Sequence, residues 1–515
     1  MKLAALLDGV SGFQIAGDPT VEIAEVRDDS RAVQPGDLFV AVPGNAVDGH
    51  RFVADAAGRG AAALVVETSG AAPAFSGTVV SVPNARRALA RIAANRFATA
   101  EEPTLIAVTG TNGKTTTTYL VEGMLAAAGI TAGLVGTIVY RVAGAWSRSA
   151  PLTTPGALAL HGLFADMRAA GATDAVMEAS SHALDQGRLD GCRFRVAGLT
   201  NLTQDHLDYH GSMERYLDAK AILFERLLDD RAGVAVLPVD LPEGRAMQAR
   251  VGRGRVLTVA ATAATGADVA VESWSQTAEG LRAVLATPAG RVSLASPLVG
   301  DYNLANVVLA TGMGVARGLS VEAIAAGLAR VQGVPGRLER VDNTRGVLCL
   351  VDYAHTPDAL LRSLAAVRPL VAPGGRLLTV FGCGGDRDRG KRPLMGEAAA
   401  QGSDLAIVTS DNPRSEQPDA IIEMILEGVR RTDARELDIR GLQAAGARRG
   451  FHVVADRRAA IQRAVAAARS GDVLVITGKG HEDYQIVGGD RLHFDDREEA
   501  RAAFTSRENA GQTSS

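Results

Sequence analysis

The feature that most constrains this chain is a short run, Gly110-Thr-Asn-Gly-Lys-Thr115. It lies between a buried-type strand, Leu105–Val108, and a helical pattern that runs from Thr115 to about Ala128 and stops at Gly129. Strand, glycine turn and helix in that order gather main-chain N–H groups and a helix N-terminus around one point, and such a point attracts phosphate. Gly110, Thr111, Asn112, Gly113, Lys114, Thr115 and Thr116 therefore read as an ATP-binding loop. Lys114 would meet the β- and γ-phosphates and the Thr115 hydroxyl would ligate Mg²⁺. The generic loop carries one more glycine, at the position that is Val108 here. By itself the run also fits a glycine turn that merely starts a helix.

The chain has 515 residues, room for about three domains. Hydrophobic residues make up 47% and aromatics only 4%, so its cores must be built from Ala, Val and Leu. The formal net charge of −4 gives no basic field, which argues against a nucleic-acid partner. Cys192, Cys349 and Cys383 are scattered and in no metal-ligand spacing, as expected of a reducing compartment, the cytoplasm. Asp8 interrupts the apolar run at the N-terminus, and no apolar stretch is long enough to span a bilayer.

Short strands and turns over 1–100 predict a small α/β domain, which ends at the polar break Glu101-Glu-Pro103. From 101 to 336 strands alternate with helices, the pattern of a mostly parallel sheet covered on both faces, with a small antiparallel insertion at about 255–297. Pro335-Gly336 marks the next boundary, and 337–506 repeats the βα rhythm in a third, Rossmann-like α/β domain. A polar tail, 507–515, is expected to fray.

Further motifs follow in order: Met177-Glu-Ala-Ser-Ser-His182, Thr200-Asn-Leu-Thr-Gln-Asp-His-Leu-Asp-Tyr-His-Gly211, Tyr216-Leu-Asp-Ala-Lys220, Val351-Asp-Tyr-Ala-His-Thr-Pro357, Phe381-Gly-Cys-Gly-Gly-Asp-Arg-Asp388, Asp411-Asn-Pro-Arg414 and Gly478-Lys-Gly-His-Glu-Asp-Tyr484. With the phosphate loop, this set resembles the ATP-dependent Mur ligases, and among them the branch that adds diaminopimelate to a UDP-muramoyl dipeptide. The folylpolyglutamate synthetases share the loop.

The resemblance implies a reaction in which a carboxylate takes the γ-phosphate of ATP and an amine then displaces phosphate, so neutralising charge is the main catalytic task. It makes Lys114, Glu178, His206 and Lys220 catalytic, with Thr115, Glu178, His206 and Lys220 around Mg²⁺ and Lys220 carrying a CO₂-derived carbamate. By chemistry alone Lys220, on an amphipathic helix, would be a solvated surface lysine. Asn303, Asn306, Arg337, Asp352 and His355 would meet the nucleotide, Arg337 closing on its γ-phosphate. Ser30, Arg31, Asn45, His50, Thr153, Thr154, Ser180, Gln186 and Arg188 would bind UDP-N-acetylmuramoyl-L-alanyl-D-glutamate. Arg387, Asp411, Asn412, Arg414, Gly478 and Glu482 would bind meso-diaminopimelate, the arginines receiving its distal carboxylate and Glu482 an ammonium. The substrates are all small molecules, and the protein is expected to act as a monomer.

Each of these residues also has an ordinary structural use, as turn former, helix cap or solvated charge. A lysine-adding or folate-glutamate ligase, and a non-catalytic nucleotide switch, are the competing functions. The switch would leave Lys220, Glu178 and the late arginines without a task.

Overall fold

The computed structural model describes residues 1–44, 47–68, 75–262, 266–444, 446 and 449–512, with the main chain alone for 508–512. Contacts divide the chain into two compact units. One comprises Met1–Glu272, Val284–Ser293 and Ala305–Leu328; the other comprises Ser273–Ala283, Leu294–Leu304 and Ala329–Ser515. Three large sheets run through them in chain order, all dominated by parallel pairs, which is the mixed α/β class expected.

The first sheet has five strands. Val26–Arg27, Leu38–Val40, Ala63–Glu67 and Thr78–Val82 lie parallel, and Gln14–Ala16 closes one edge antiparallel to Thr78–Val82. Period-two alternation sends Leu38, Val40, Ala63, Val65, Val80 and Val82 to one core with Leu3, Leu6, Leu89 and Ile92. Phe39, Leu64, Val66 and Val79 face the other, with Val33, Val53 and Ala56. Both faces are covered, so these strands are apolar throughout. Helix Ala85–Phe97 starts where the Asn84 side chain accepts the N–H of Arg87 at 2.9 Å.

The second sheet has eleven strands. Its middle strand, Thr104–Thr109, lies parallel between Asp174–Glu178 and Phe194–Leu199, with Val108 opposite Glu178 and Thr109 opposite Leu199. Three strands thus end at one level and deliver Gly110, Glu178 and Thr200 to the carboxyl edge of the sheet, where open α/β sheets bind ligands. The antiparallel insertion starts later than expected. Arg255–Ala260 pairs parallel with Val234–Pro238, because helix Pro242–Gln248 supplies the crossover that a parallel neighbour needs, and Val269–Thr277 pairs parallel in turn. Only Gly280–Thr287 and Gly290–Ser296 follow across two-residue connections, which permit antiparallel pairing alone. An antiparallel meander at the other edge, Ala132–Val135, Val139–Val142 and Trp146–Ser149, was not legible in the sequence.

The third sheet runs in the order Glu339–Val341, Leu348–Asp352, Val473–Thr477, Leu377–Phe381, Leu405–Val408, Gly450–Val453, Arg435–Glu436. All pairs are parallel except the first. Cys349, Val351, Leu378, Val380, Ile407 and Ile476 pack on Ile461, Val465 and Phe504. Leu350, Phe381, Val408 and Val475 pack on Leu364, Met395 and Ile425. Each of these large side chains contributes about 1.5–3 kcal/mol by leaving water. A hairpin, Tyr484–Val487 with Asp490–His493, stands apart as its own two-stranded sheet. The final helix, Asp496–Gln512, runs past Arg507 into the segment expected to fray. Ala500, Ala503 and Phe504 dock its first turns, and a helix already nucleated elongates at little cost.

Candidate active site

In the first unit the phosphate loop is held by close backbone approach. Gly110 has φ +140°, and a Cβ on it would sit 1.8 Å from the Thr200 hydroxyl; Gly113 has φ +86°, and a Cβ there would sit 2.2 Å from Asn306 Oδ1. No residue but glycine fits either place. The segment 201–203 pins the loop from the side. Thr111 N–H donates to Asn201 O (2.9 Å), Asn112 N–H to Asn201 Oδ1 (3.0 Å), and Thr203 N–H to Thr111 Oγ1 (3.0 Å).

Two lysines converge on one carbonyl of this loop. Lys114 Nζ donates to Gly110 O (3.0 Å) and Thr111 O (2.8 Å), and Lys220 Nζ donates to the same Gly110 O at 2.8 Å. Lys220 is 1% exposed and lies 4.2 Å above the Tyr216 ring. Burial first, and then the Lys114 charge, push its pKa well below the usual lysine value, with Asp205 opposing. A pattern reading puts Lys220 in solvent; the fold buries it because the end of helix Met213–Ile222 packs under the loop and passes straight into a π turn, Leu223–Leu227.

Glu178 is wholly buried at its strand end and shares its oxygens with the meander: Thr137 N–H donates to Oε1 (2.8 Å) and Thr137 Oγ1 to Oε2 (3.0 Å). Around it the structure brings together five residues expected for the UDP-sugar peptide. Thr153 Oγ1 lies 3.1 Å from Thr137 Oγ1, Thr154 Oγ1 donates to Glu178 O (2.8 Å), and Ser180 N–H donates to Thr154 Oγ1 (3.1 Å). Arg188 donates to Thr154 O (2.8 Å) and to Gln186 Oε1 (2.7 Å). His206 takes a left-handed φ of 52°, its ring 4.8 Å edge-on to His182 and its Nε2 3.5 Å from Asp205 Oδ2. Among the described residues no three His, Cys, Asp or Glu side chains form a ready metal cage. The oxygens of the Glu178 carboxylate and the Thr115 hydroxyl are of the hard type that Mg²⁺ takes, one or two at a time, alongside phosphate and water.

The remaining first-sheet residues are engaged with the protein. Ser30 is buried, and Arg31 pairs with Asp29 at 2.7 Å on the surface. His50 accepts the Glu67 N–H on Nε2 (2.9 Å) and faces Asp48 Oδ1 through Nδ1 (2.7 Å). Asn45 lies outside the described residues.

The nucleotide candidates are divided: Asn306 belongs to the first unit, and Asn303, Arg337, Asp352 and His355 to the second. Asn303 Nδ2 donates to Val299 O (2.6 Å). Asp352 accepts the N–H groups of Leu338 (2.8 Å) and Ala354 (3.0 Å), fixing the turn that carries Arg337. The Arg337 guanidinium lies 4.9 Å over the Tyr353 ring, which also packs on His355 and His481. Burial lowers the pKa of His355, and the Tyr353 carbonyl, 2.9 Å from its Nδ1, opposes this. Tyr353, inside the motif, was overlooked because aromatics in a strand-end run read as core.

The second unit also gathers five of the six diaminopimelate candidates. Asn412 Nδ2 donates to Glu482 Oε2 (3.0 Å), while its Oδ1 accepts from Lys479 Nζ (3.2 Å) and Ile486 N–H (2.9 Å). Gly478, at φ +112°, leaves room for the Asp411 carboxylate, which a Cβ would meet at 3.5 Å. Arg414 has a left-handed φ of 52°, donates its N–H to Ile486 O (3.0 Å) and sends Nη1 to Gly385 O (2.8 Å). Arg387 is exposed on the neighbouring loop, its Cγ within 3.7 Å of where a Gly384 Cβ would stand. Burial raises the pKa of Glu482, as does the Asp411 charge, against the pull of Lys479.

Models of the Mur ligase family match three consecutive stretches: the family's catalytic domain at 22–97, its middle domain at 108–314 and its glutamate ligase domain at 336–480. Relatives are similar over almost their whole length. A protein of Gloeobacter violaceus named UDP-N-acetylmuramoyl-L-alanyl-D-glutamate–2,6-diaminopimelate ligase is 47% identical over 99% of both chains. One of the same name from Geobacter metallireducens is 46% identical over 99% of this chain and 100% of its own. The chain belongs to the Mur ligase family. A solved Mur ligase under that same enzyme name is 33% identical, with a TM-score of 0.72 over 99% of both chains. The MurF ligase of Thermotoga maritima, solved with ADP, shares the fold at 20% identity and a TM-score of 0.59, over 95% of this chain and 99% of its own.

Proposed function

We propose that this Mur ligase is an ATP- and Mg²⁺-dependent amide ligase that joins meso-diaminopimelate to the D-glutamate carboxylate of UDP-N-acetylmuramoyl-L-alanyl-D-glutamate, a step of peptidoglycan precursor synthesis. In this reading 1–100 with the Thr153–Arg188 network holds the UDP-sugar peptide, 101–336 holds ATP, and 337–506 holds the amino acid. The enzyme works as a cytoplasmic monomer. The substrate carboxylate oxygen attacks the γ-phosphorus and releases ADP; the amine of diaminopimelate, having lost a proton, then attacks the acyl carbon and expels phosphate. Magnesium, when bound, neutralises phosphate charge.

The chain's own residues serve that sequence as follows. Loop N–H groups and Lys114 orient the phosphates, and Thr115, Glu178 and His206 supply oxygen and nitrogen donors for the metal. Lys220, driven toward its free amine, adds CO₂ to give a carbamate and a proton, which turns a buried cation into an anion. Asn303, Asn306, Arg337, Asp352 and His355 frame the nucleotide. Arg387 and Arg414, with Asn412, receive the distal carboxylate of diaminopimelate, and Glu482 with the Gly478 carbonyl its ammonium, Asp411 standing beside them.

The observation that carries the choice of amino acid is the Asn412 node, which ties the Glu482 carboxylate to the motif that carries Arg414, so that an acid and a guanidinium suited to a zwitterion with one more carboxylate stand in one cluster. The test is ADP release with the UDP-dipeptide present and a panel of amino acids. Turnover that is highest with meso-diaminopimelate supports the reading; equal turnover with lysine, or none without a folate acceptor, refutes it.

A further inference from the structure

Lys479 is a fully buried charged group beside the proposed amino-acid residues and has no part in the reaction as described. Its side chain is 0% exposed, and its ammonium faces acceptors on two segments. Nζ donates to Asn412 Oδ1 at 3.2 Å and lies 3.6 Å from Asp411 Oδ1 and 3.7 Å from Glu482 Oε2, with the Tyr484 ring at 5.5 Å. Asp411 Oδ1 is buried and has no hydrogen bond of its own, so this ammonium is the nearest group that balances it.

The Asn412 amide shows what the arrangement does. Its oxygen is held by two donors, Lys479 Nζ and Ile486 N–H, so its NH₂ group must face Glu482. Without Lys479 one of the two anchors is lost, the amide can turn, and two carboxylates share a half-buried pocket with no cation between them.

We propose that Lys479 is a positioning residue for amino-acid selection: its buried ammonium orients the Asn412 amide and balances Asp411 and Glu482, so that the Glu482 carboxylate stays ionised and aimed at the ammonium of the incoming amino acid. The inference rests on the proposed amino-acid pocket. Lys479 touches no substrate in this account; it acts through Asn412 and Glu482. The groups that face this pair, and so set its titration, are Asp411, Arg414, Arg457, Asp496, Tyr353 and Tyr484.

The experiment measures ADP release by the full-length enzyme in Lys479→Met, which removes donor and charge, and Lys479→Gln, which keeps a donor without the charge. Diaminopimelate is varied at saturating ATP and UDP-dipeptide, then each of those in turn, across pH, with a melting curve for each variant. Lys479→Met should raise the KM for diaminopimelate at least tenfold and leave the KM for ATP and kcat within about threefold. The acid limb of kcat/KM for diaminopimelate should move to higher pH in both variants, because the carboxylate loses the cation that favoured ionisation.

Arg414→Ala and Glu482→Gln run alongside. If they raise that KM and the Lys479 variants do not, the role of Lys479 is refuted and the pocket stands. If none of the four raises it, the pocket reading itself fails. Equal losses for all three substrates, an unmoved acid limb, or failure of both Lys479 variants to fold would make Lys479 a structural residue and overturn the proposal.

Discussion

Two buried lysines, one in each unit, have opposite surroundings. Lys220 meets a main-chain carbonyl and a second cation, Lys114, and among the described residues it forms no ion pair, Asp205 acting only at longer range. Lys479 meets an amide oxygen and two carboxylates. Burial lowers the pKa of both; at Lys220 the Lys114 charge lowers it further against Asp205, whereas at Lys479 the acids Asp411, Glu482 and Asp496 oppose burial and the Arg457 charge. An amine without counter-charge is reactive and open to modification, whereas one among acids is a fixed cation. Burial alone does not tell what a lysine does; the sign of its neighbours does.

The sharpest way to break this contrast is at Lys220. Lys220→Ala should lose ligation by on the order of a thousandfold while melting like wild type, and a short carboxylic acid should restore part of it. Retained activity would remove the distinction between the two lysines. Lys114→Ala tests the cation that helps to keep Lys220 uncharged. It should cut acyl-phosphate formation by roughly 10²–10³ at saturating ATP, and near-normal turnover would withdraw the phosphate assignment.

Arg414 sharpens the other side. Because one of its nitrogens already rests on the Gly385 carbonyl, the price of leaving it without a carboxylate is at the low end of the usual range, about 2 kcal/mol or some thirtyfold. The ratio of kcat/KM for diaminopimelate over lysine should fall by that factor in Arg414→Ala. An unchanged ratio would place selection elsewhere.

The smallest effect belongs to a buried base in neither lysine's cluster. His161 Nε2 has no hydrogen bond, and burial holds its pKa down at about 4. The unfolded chain takes up that proton near pH 6.5 and the folded chain does not. Stability is therefore complete above pH 6.5 and falls by about 1.4 kcal/mol per unit between there and about pH 4. Denaturant melts of His161→Leu at pH 7.5 and 5 should show a shallower loss than wild type; parallel losses would contradict this.

The parallel strands of the third sheet and the phosphate loop were readable because apolar runs and glycine turns are local signals. The Ala132–Ser149 meander was not, since its strands have four residues each and the outer two are partly exposed. Glu178, Thr153, Thr154, Ser180 and Arg188 were each nameable, but their union through Thr137 depends on that meander. Lys220 was legible through family likeness alone: on a helix wheel it is a surface lysine, and only a loop 110 residues away buries it. Lys479 lies inside the Gly478–Tyr484 motif, yet its role is not legible there, because nothing local reveals which carboxylates a fold will place against it.

The hairpin Tyr484–His493 holds the Asn412 and Arg414 segment mainly through its main chain, the Gln485 side chain adding a hydrogen bond to Asp411 O (2.6 Å). Ile486 N–H fixes Asn412, Ile486 O takes the Arg414 N–H, and Arg414 O takes the Gly488 N–H, while the side chains of Asp490–His493 are all exposed. What selection can act on here is length rather than spelling. Single-residue insertions or deletions between Tyr484 and Gly488 would shift the frame that aims two specificity residues, whereas substitutions along the outer strand would disturb only surface contacts such as Arg491 on the Tyr484 ring and His493 with Glu498.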